Sequence, residues 1–130
     1  HNRIDNECTK ILKKNKKCYI IDMHSFSDEL VNKLFDIKDS PDICIGINTT
    51  YDKKILDFTL NFFEMNGYTV KINYPYSGSL LPNKYTNDNR IITMMIEINR
   101  RIYSNKLKEI MNDYFNKLDM FIEGENNDNK

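Results

Sequence analysis

Ile91-Ile92-Thr93-Met94-Met95-Ile96-Glu97-Ile98 is the most apolar run in the chain, and its reading decides the fold. A short apolar run of this kind, bounded by polar residues, reads as a buried β-strand. Working back from it, Tyr74 to Asn89 holds two of the three prolines and Gly78. That stretch is a loop, longer than a simple connection needs, and such loops tend to be functional or disordered. Tyr68 to Asn73 alternates as another strand. Ahead of it, Asp52 is placed to cap a helix over 53–66 with Ile55, Leu56, Thr59, Phe62 and Phe63 on one face and Gly67 as its stop. Ile43-Cys44-Ile45-Gly46-Ile47 and Cys18-Tyr19-Ile20-Ile21 are two further β-prone runs. The second of these ends at Asp22-Met23-His24-Ser25, where polarity returns and a loop should open. From Phe26 to Asp42 the chain reads as a loop with a helical turn near Leu30 to Phe35, interrupted by Ser40-Pro41-Asp42.

At the start of the chain, Ile4, Cys8, Ile11 and Leu12 fall at helical spacing and predict an amphipathic helix over 2–15. After the decisive strand, Ser104 caps a helix over 105–122 with Leu107, Ile110, Met111, Tyr114, Leu118 and Phe121 inward. The polar, Asn-rich stretch 123–130 is expected to fray as a disordered tail. Strands alternating with helices imply an α/β fold: a largely parallel or mixed sheet of about four strands, with helices on both faces. Residues 1–122 then make one domain or a domain fragment. Sites in such folds gather at the C-terminal ends of strands.

Composition removes several function classes. The chain of 130 residues has 19 Lys and Arg against 19 Asp and Glu, so no net field draws it to nucleic acid or an anionic membrane. The Lys10 to Lys17 run reads as a solvated helix end. Cys8, Cys18 and Cys44 are an odd set without C-x-x-C spacing, which fits reduced thiols in a cytoplasmic protein. No apolar run is long enough to span a membrane, and no basic-then-apolar leader opens the chain. It begins on His1 and not on Met, which reads as a trimmed chain.

Two residues stand out chemically. Asp22 and His24 lie two apart on an extended segment and so project to the same side. His24 at a strand end suits a metal ligand with a partner on its other ring nitrogen, and equally suits a satisfied, partly buried histidine. Glu97 lies inside the most apolar strand, on the side of Met95 and Asn99. Desolvation there raises a carboxyl pKa toward the range of a general base. A structural glutamate paired to Arg90, Arg100 or Arg101 is the other reading. Each of those arginines is either a carboxylate clamp or an ordinary surface charge. Tyr76, Gly78 and Ser79 make either a gate or an ordinary turn.

Several segments resemble, in order, those of N-formylglutamate amidohydrolases. Asp22-Met23-His24-Ser25-Phe26 is similar to D-x-H-S-[FM], and Asp42-Ile43-Cys44-Ile45-Gly46 to D-[IL]-x-[IL]-G. Gly67-Tyr68-Thr69-Val70 is similar to G-Y-x-V, and Asn73-Tyr74-Pro75-Tyr76-Ser77-Gly78 to N-x-P-Y-x-G. Ile96-Glu97-Ile98-Asn99-Arg100-Arg101-Ile102-Tyr103 is similar to I-E-I-N-R-x-L-Y. The resemblance runs over about residues 1 to 120 and implies a C-terminal part of a phosphorylase/hydrolase-like α/β fold shared with zinc carboxypeptidases. It implies zinc as cofactor, His24 as one zinc ligand, Glu97 as the base acting on water, and a small N-acyl amino acid as substrate. Asp22 and Ser25 would support the ligand. Arg90, Arg100, Tyr76 and Asn99 are the candidate substrate contacts. In the family two further ligands come from an H-x-x-E segment. These residues contain none: the only other histidine is His1, with Ile4 where the glutamate should stand. The expectation is therefore little or no tightly bound zinc and no hydrolysis by these residues alone. A non-catalytic binding or assembly module, or a related zinc peptidase, are the competing readings. A truncated sheet would expose an edge strand, from which a homodimer is expected.

Overall fold

The structure, a computed structural model, describes residues 2–128. Its elements run α1 (Asn2–Lys14), β1 (Cys18–Phe26), α2 (Asp28–Phe35), β2 (Ile43–Gly46), α3 (Lys53–Met65), β3 (Val70–Ile72), β4 (Ile91–Asn99) and α4 (Asn105–Asp128). The caps are those read from the residues. Asp52 Oδ1 accepts from Lys54 N at 2.8 Å and Ile55 N at 3.1 Å, satisfying first-turn donors that α3 leaves without internal partners. Ser104 Oγ accepts from Leu107 N at 3.0 Å and starts α4 in the same way. Gly67, at φ 90°, ends α3 in a conformation that costs glycine little.

The sheet order is β1-β4-β2-β3, so the decisive apolar strand is central, as its near-complete burial requires. β1 and β4 are parallel, β2 and β3 are parallel, and β2 meets β4 antiparallel. The sheet is therefore mixed. The turn through α2 does not cross the sheet: it returns the chain at the end where β1 leaves, so Ile43 enters opposite Ile98 and runs backwards along β4. Alternation splits the sheet residues between two faces. Ile43, Ile45, Met94, Ile96 and Ile98 pack with Ile55, Leu56 and Phe63 of α3 and Leu107, Ile110, Tyr114 and Leu118 of α4 in the main core. On the other face α1 covers the start of β1 and β4 through Cys8, Cys18 and Ile91. There α2 covers the far end through Val31, Phe26 and Cys44. Helices thus lie on both faces.

Several elements differ from the sequence expectation, and in the expected loop after β1 the helical turn is a full helix, α2, because Ser27 Oγ accepts from Leu30 N and starts it at Asp28. β1 does not end at Ile21 but runs through Asp22, Met23, His24 and Ser25 to Phe26, because β4 pairs with it along its whole length. β3 is shorter than 68–73, since Asn73 takes a left-handed conformation (φ 55°) that stops the strand. α4 does not stop at 122. It continues to Asp128 because its last turns find partners: Lys54 Nζ lies 3.0 Å from Glu125 Oε2, and Tyr19 Oη donates to Asn126 Oδ1 at 3.2 Å. Residues 129 and 130 of the expected tail lie outside the described residues. Among the described residues, no helix is long and apolar enough to cross a membrane.

Candidate active site

The parallel register of β1 and β4 places His24 directly beside Glu97, and the antiparallel register of β2 places Cys44 on the other side of Glu97. Residues paired across neighbouring strands share a face at about 4.8 Å spacing. His24, Glu97 and Cys44 therefore stand abreast on the face away from α3 and α4. Asp22, Met95 and Gly46 form the next row toward the start of β4. The two residues that stood out in the sequence converge, each from its own strand. They do so within the strands and not from loops at their tips.

Glu97 is only 7 % exposed, and its Oε1 is buried without a hydrogen-bond partner among the described residues. Burial pushes its carboxyl pKa up; the His24 imidazole opposes the shift and the Asp22 carboxylate adds to it. Leaving a buried acceptor unsatisfied costs free energy, so such a group is met in native proteins by a bound water, an ion, a ligand or a reacting group. The His24 side chain, by contrast, is 54 % exposed, with Nε2 lying 3.0 Å from Asp22 Oδ2. Asp22 Oδ1 in turn accepts from Leu80 N at 3.4 Å.

The segment after β3 lies over this face as a strap. Asn73 Oδ1 accepts from Ile47 N at 2.9 Å and from Gly78 N at 3.2 Å, curling the strap back onto β2. Cys44 Sγ donates to the Tyr76 carbonyl at 3.2 Å, and Ser79 Oγ lies 2.6 Å from Thr93 Oγ1. The Tyr76 ring stands edge-on to Phe26 and Phe35, with centroids 5.8 and 5.5 Å away. Burial raises its phenol pKa, and the nearby Glu97 and Cys44 raise it further. Gly46 is required beneath the strap: a Cβ there would overlap the Gly78 carbonyl oxygen and lie 2.5 Å from Met95 Cε.

Three expected site residues are placed elsewhere, and a fourth, Asn99, is on the face but already engaged. Ser25 projects to the opposite face from His24, by the same alternation that joins His24 to Asp22, and its Oγ accepts from Arg100 Nε at 3.2 Å. Ser25 and Arg100 are thus on the far side of the sheet from Glu97. Arg90 precedes β4, seven residues before Glu97 and roughly 23 Å away along the strand. Its Nη2 is 2.6 Å from Asp88 Oδ2 in a local pair. Asn99 shares the face of Glu97 but is fully buried and engaged: Nδ2 donates to Asp28 Oδ1 at 2.7 Å and to the Pro41 carbonyl at 3.3 Å, and Oδ1 accepts from Arg101 N.

Asn99 belongs to a clasp at the end of the strands that sequence reasoning did not find. Arg101 donates to Asp28 Oδ1 at 2.7 Å, to Asp42 Oδ1 at 2.8 Å and to the Ser40 carbonyl at 2.9 Å. The hydrogen bond from Asn99, with help from Arg101, holds the Asp28 carboxyl below its ordinary pKa. Cys44 was also missed as a neighbour of Glu97. Its thiol pKa is pushed up by burial.

A catalytic zinc ion needs three protein ligands. Among the described residues, no three His, Cys, Asp or Glu side chains are grouped to hold a metal ion, and His1 lies outside the described residues. Among the described residues His24 is one imidazole donor, and its Nε2 already lies beside Asp22. What the arrangement can do is accept and return a proton. It holds a buried carboxyl with a raised pKa and free lone pairs, next to an imidazole at the solvent boundary.

A family model described as N-formylglutamate amidohydrolase matches residues 1–104. Two solved structures share the fold. The N-formylglutamate amidohydrolase of Ralstonia eutropha JMP134 superposes with a TM-score of 0.72 at 20 % identity, over 88 % of this chain and 45 % of that one. The gene product Atu2144 of Agrobacterium tumefaciens does so with a TM-score of 0.59 at 20 % identity, over 92 % of this chain and 50 % of that one. The chain thus spans about half the length of these structures. No curated protein matches it significantly.

Proposed function

The chain belongs to the N-formylglutamate amidohydrolase family, and we propose that the face carrying Glu97 is the base-bearing side of an amidohydrolase site acting on a small N-formyl amino acid. The observation that carries this reading is the unpartnered Oε1 of Glu97, buried in register with His24. Glu97 takes the proton from the attacking water and passes it to the leaving nitrogen, so that N-formyl-L-glutamate and water yield glutamate and formate. Its raised pKa serves both transfers, because a base poised nearer neutrality both takes and returns a proton readily. The strap lies over this face, held to Cys44 through the Tyr76 carbonyl, with the Tyr76 phenol close enough to feel the Glu97 charge. Zinc, which the family resemblance implies, would find one donor in His24 and would need two more from outside the described residues. The 130 residues contain no H-x-x-E segment, so on their own they are expected to bind zinc weakly and not to hydrolyse formamides.

Formate release from N-formyl-L-glutamate by the full natural chain tests the assignment. Glu97→Gln is expected to lower the rate by about a hundredfold or more, the usual worth of a general base. Full activity in that variant would remove Glu97 from the mechanism. Calorimetric titration of zinc into the 130 residues provides a second test. Nanomolar binding to a monomer would show that the donors here suffice, and unchanged metal content in a His24→Ala full chain would show that His24 is no ligand.

A further inference from the structure

Two of the three cysteines meet in the fold although a helix end and a turn separate them in the chain. Cys8 lies within α1 and Cys18 opens β1, and Cys18 Sγ donates to Cys8 Sγ at 3.6 Å. Both are buried, at 2 % and 1 % exposure, in the small core that α1 makes with Ile91 and Tyr85. A buried cysteine is ordinarily a small hydrophobe packed on carbon. Here sulfur touches sulfur. A disulfide holds its sulfurs about 2.05 Å apart, so the gap has to shrink by roughly 1.5 Å, the scale of a turn about the two Cα–Cβ bonds. A cavity of about 330 Å³ between α1 and β1 reaches both residues, with further walls from Arg3, Glu7, Ile11 and Ile21. The third cysteine stands apart: Cys44 Sγ donates to the Tyr76 carbonyl at 3.2 Å, in a separate cluster with Phe26 and Val31.

We infer that Cys8 and Cys18 are a redox-active pair, which hydrogen peroxide converts to a disulfide that fastens α1 to the strand carrying His24. One thiol gives up its proton and attacks a peroxide oxygen; the O–O bond breaks, water leaves, and a sulfenic acid remains. The second thiol attacks that sulfur, the S–S bond forms, the S–O bond breaks, and a second water leaves. Two thiols and one peroxide thus yield one disulfide and two waters. Burial, joined by the neighbouring Cys8 thiol, pushes the Cys18 thiol up to about 12. The thiolate is the reacting form, so the pair oxidises slowly at neutral pH. The same burial favours an oxidant small enough to enter the cavity over a bulky disulfide. Once formed, the link closes the loop from Cys8 to Cys18, restricts the unfolded chain and so stabilises the fold. Cys18 is the first residue of β1 and His24 the seventh, and the inference does not rest on the proposed hydrolysis.

Peroxide treatment of the full natural chain, then alkylation in denaturant, tryptic digestion without reductant and mass spectrometry, tests it. Trypsin cuts after Arg3, Lys10, Lys17 and Lys33, so the disulfide joins the peptide Ile4–Lys10 to the peptide Cys18–Lys33. That linked pair is expected from the monomer band of a non-reducing gel, with Cys44 recovered alkylated, and it should vanish with dithiothreitol. The oxidised chain should melt about 10 °C above the reduced one. Recovery of Cys8 and Cys18 as alkylated thiols, or as sulfinic acids without a linked peptide, would overturn the inference. A link from either to Cys44, or one found only between two chains, would overturn it as well. A link that leaves the melting midpoint unchanged would overturn its role as a fastening. None of these readouts involves formamide hydrolysis, so failure here is distinct from failure of the proposed activity.

Discussion

Replacing Glu97 with glutamine should make the protein more stable at neutral pH, and by an amount that depends on pH. Oε1 is buried without a partner, and burial holds the carboxyl above its ordinary pKa. A group whose folded pKa is raised contributes stability that is fully present below its unfolded pKa and is lost as pH rises through the folded value. Ionised Glu97 is therefore a cost to the fold near pH 7, and protonated Glu97 is not. An unsatisfied buried acceptor costs about 1–3 kcal/mol, and more when charged. Because the glutamine amide keeps a neutral acceptor in the same place, the difference is the charged part, about 1–2 kcal/mol. At about 4 °C per kcal/mol for a domain of this size, the melting midpoint should rise by about 4–8 °C. Urea unfolding of both proteins in EDTA, from pH 4 to pH 8, measures the effect. The stability gap should open as pH rises from the ordinary carboxyl pKa through the folded pKa of Glu97, and close toward the acid end. A variant that is less stable at pH 7, or a gap that ignores pH, would refute the claim that this carboxyl is buried at a cost and point to a partner for it.

Three further substitutions test the supports around the site. Gly46→Ala drives a methyl into the Gly78 carbonyl and Met95, and should cost about 1–3 kcal/mol in urea unfolding while deprotecting the Gly78 amide in hydrogen exchange. Asp52→Ala removes the oxygen that caps Lys54 and Ile55, and should cost about 1 kcal/mol, with Asp52→Asn restoring most of it. Tyr114 Oη lies 2.8 Å from Thr59 Oγ1 in the core, and burial raises its pKa to about 12. Below pH 10, Tyr114→Phe should lose about 1 kcal/mol with the hydrogen bond. From pH 10 toward 12 the wild type should lose that advantage, because the unfolded phenol ionises first, and unfolding curves across that range follow the crossover.

Keeping Glu97 buried and unpartnered is a local violation of the rule that polar groups inside a protein are satisfied. The rest of the face obeys it. Asn99 is fully engaged by Asp28, Pro41 and Arg101, Thr93 is bonded to Ser79, and Asp22 meets both His24 and Leu80. That one dissatisfied acceptor amid satisfied neighbours is the feature on which the proposed role of Glu97 as a base rests.

Local pattern alone determined the four strands, three of the four helices, the caps at Asp52 and Ser104, and the pairing of Asp22 with His24 on one face, while α2 was legible only as a helical turn within a loop. These follow from periods of 3.6 and 2 and from side chains that reach only a few residues along the chain. The same alternation puts Ser25 on the opposite face, against its expected place in support of His24. The sequence also carried Glu97, since a carboxylate in its most apolar run contradicts the surroundings. Only the tertiary structure decided that Glu97 lies beside His24 and Cys44, that β2 runs against β4, that Arg101 clasps Asp28 and Asp42, and that Arg90 is a strand length away. Register and strand order depend on contacts between segments far apart in the chain. No periodicity within either segment encodes its partner, so those choices fall to the packing of the whole sheet between its two layers of helices.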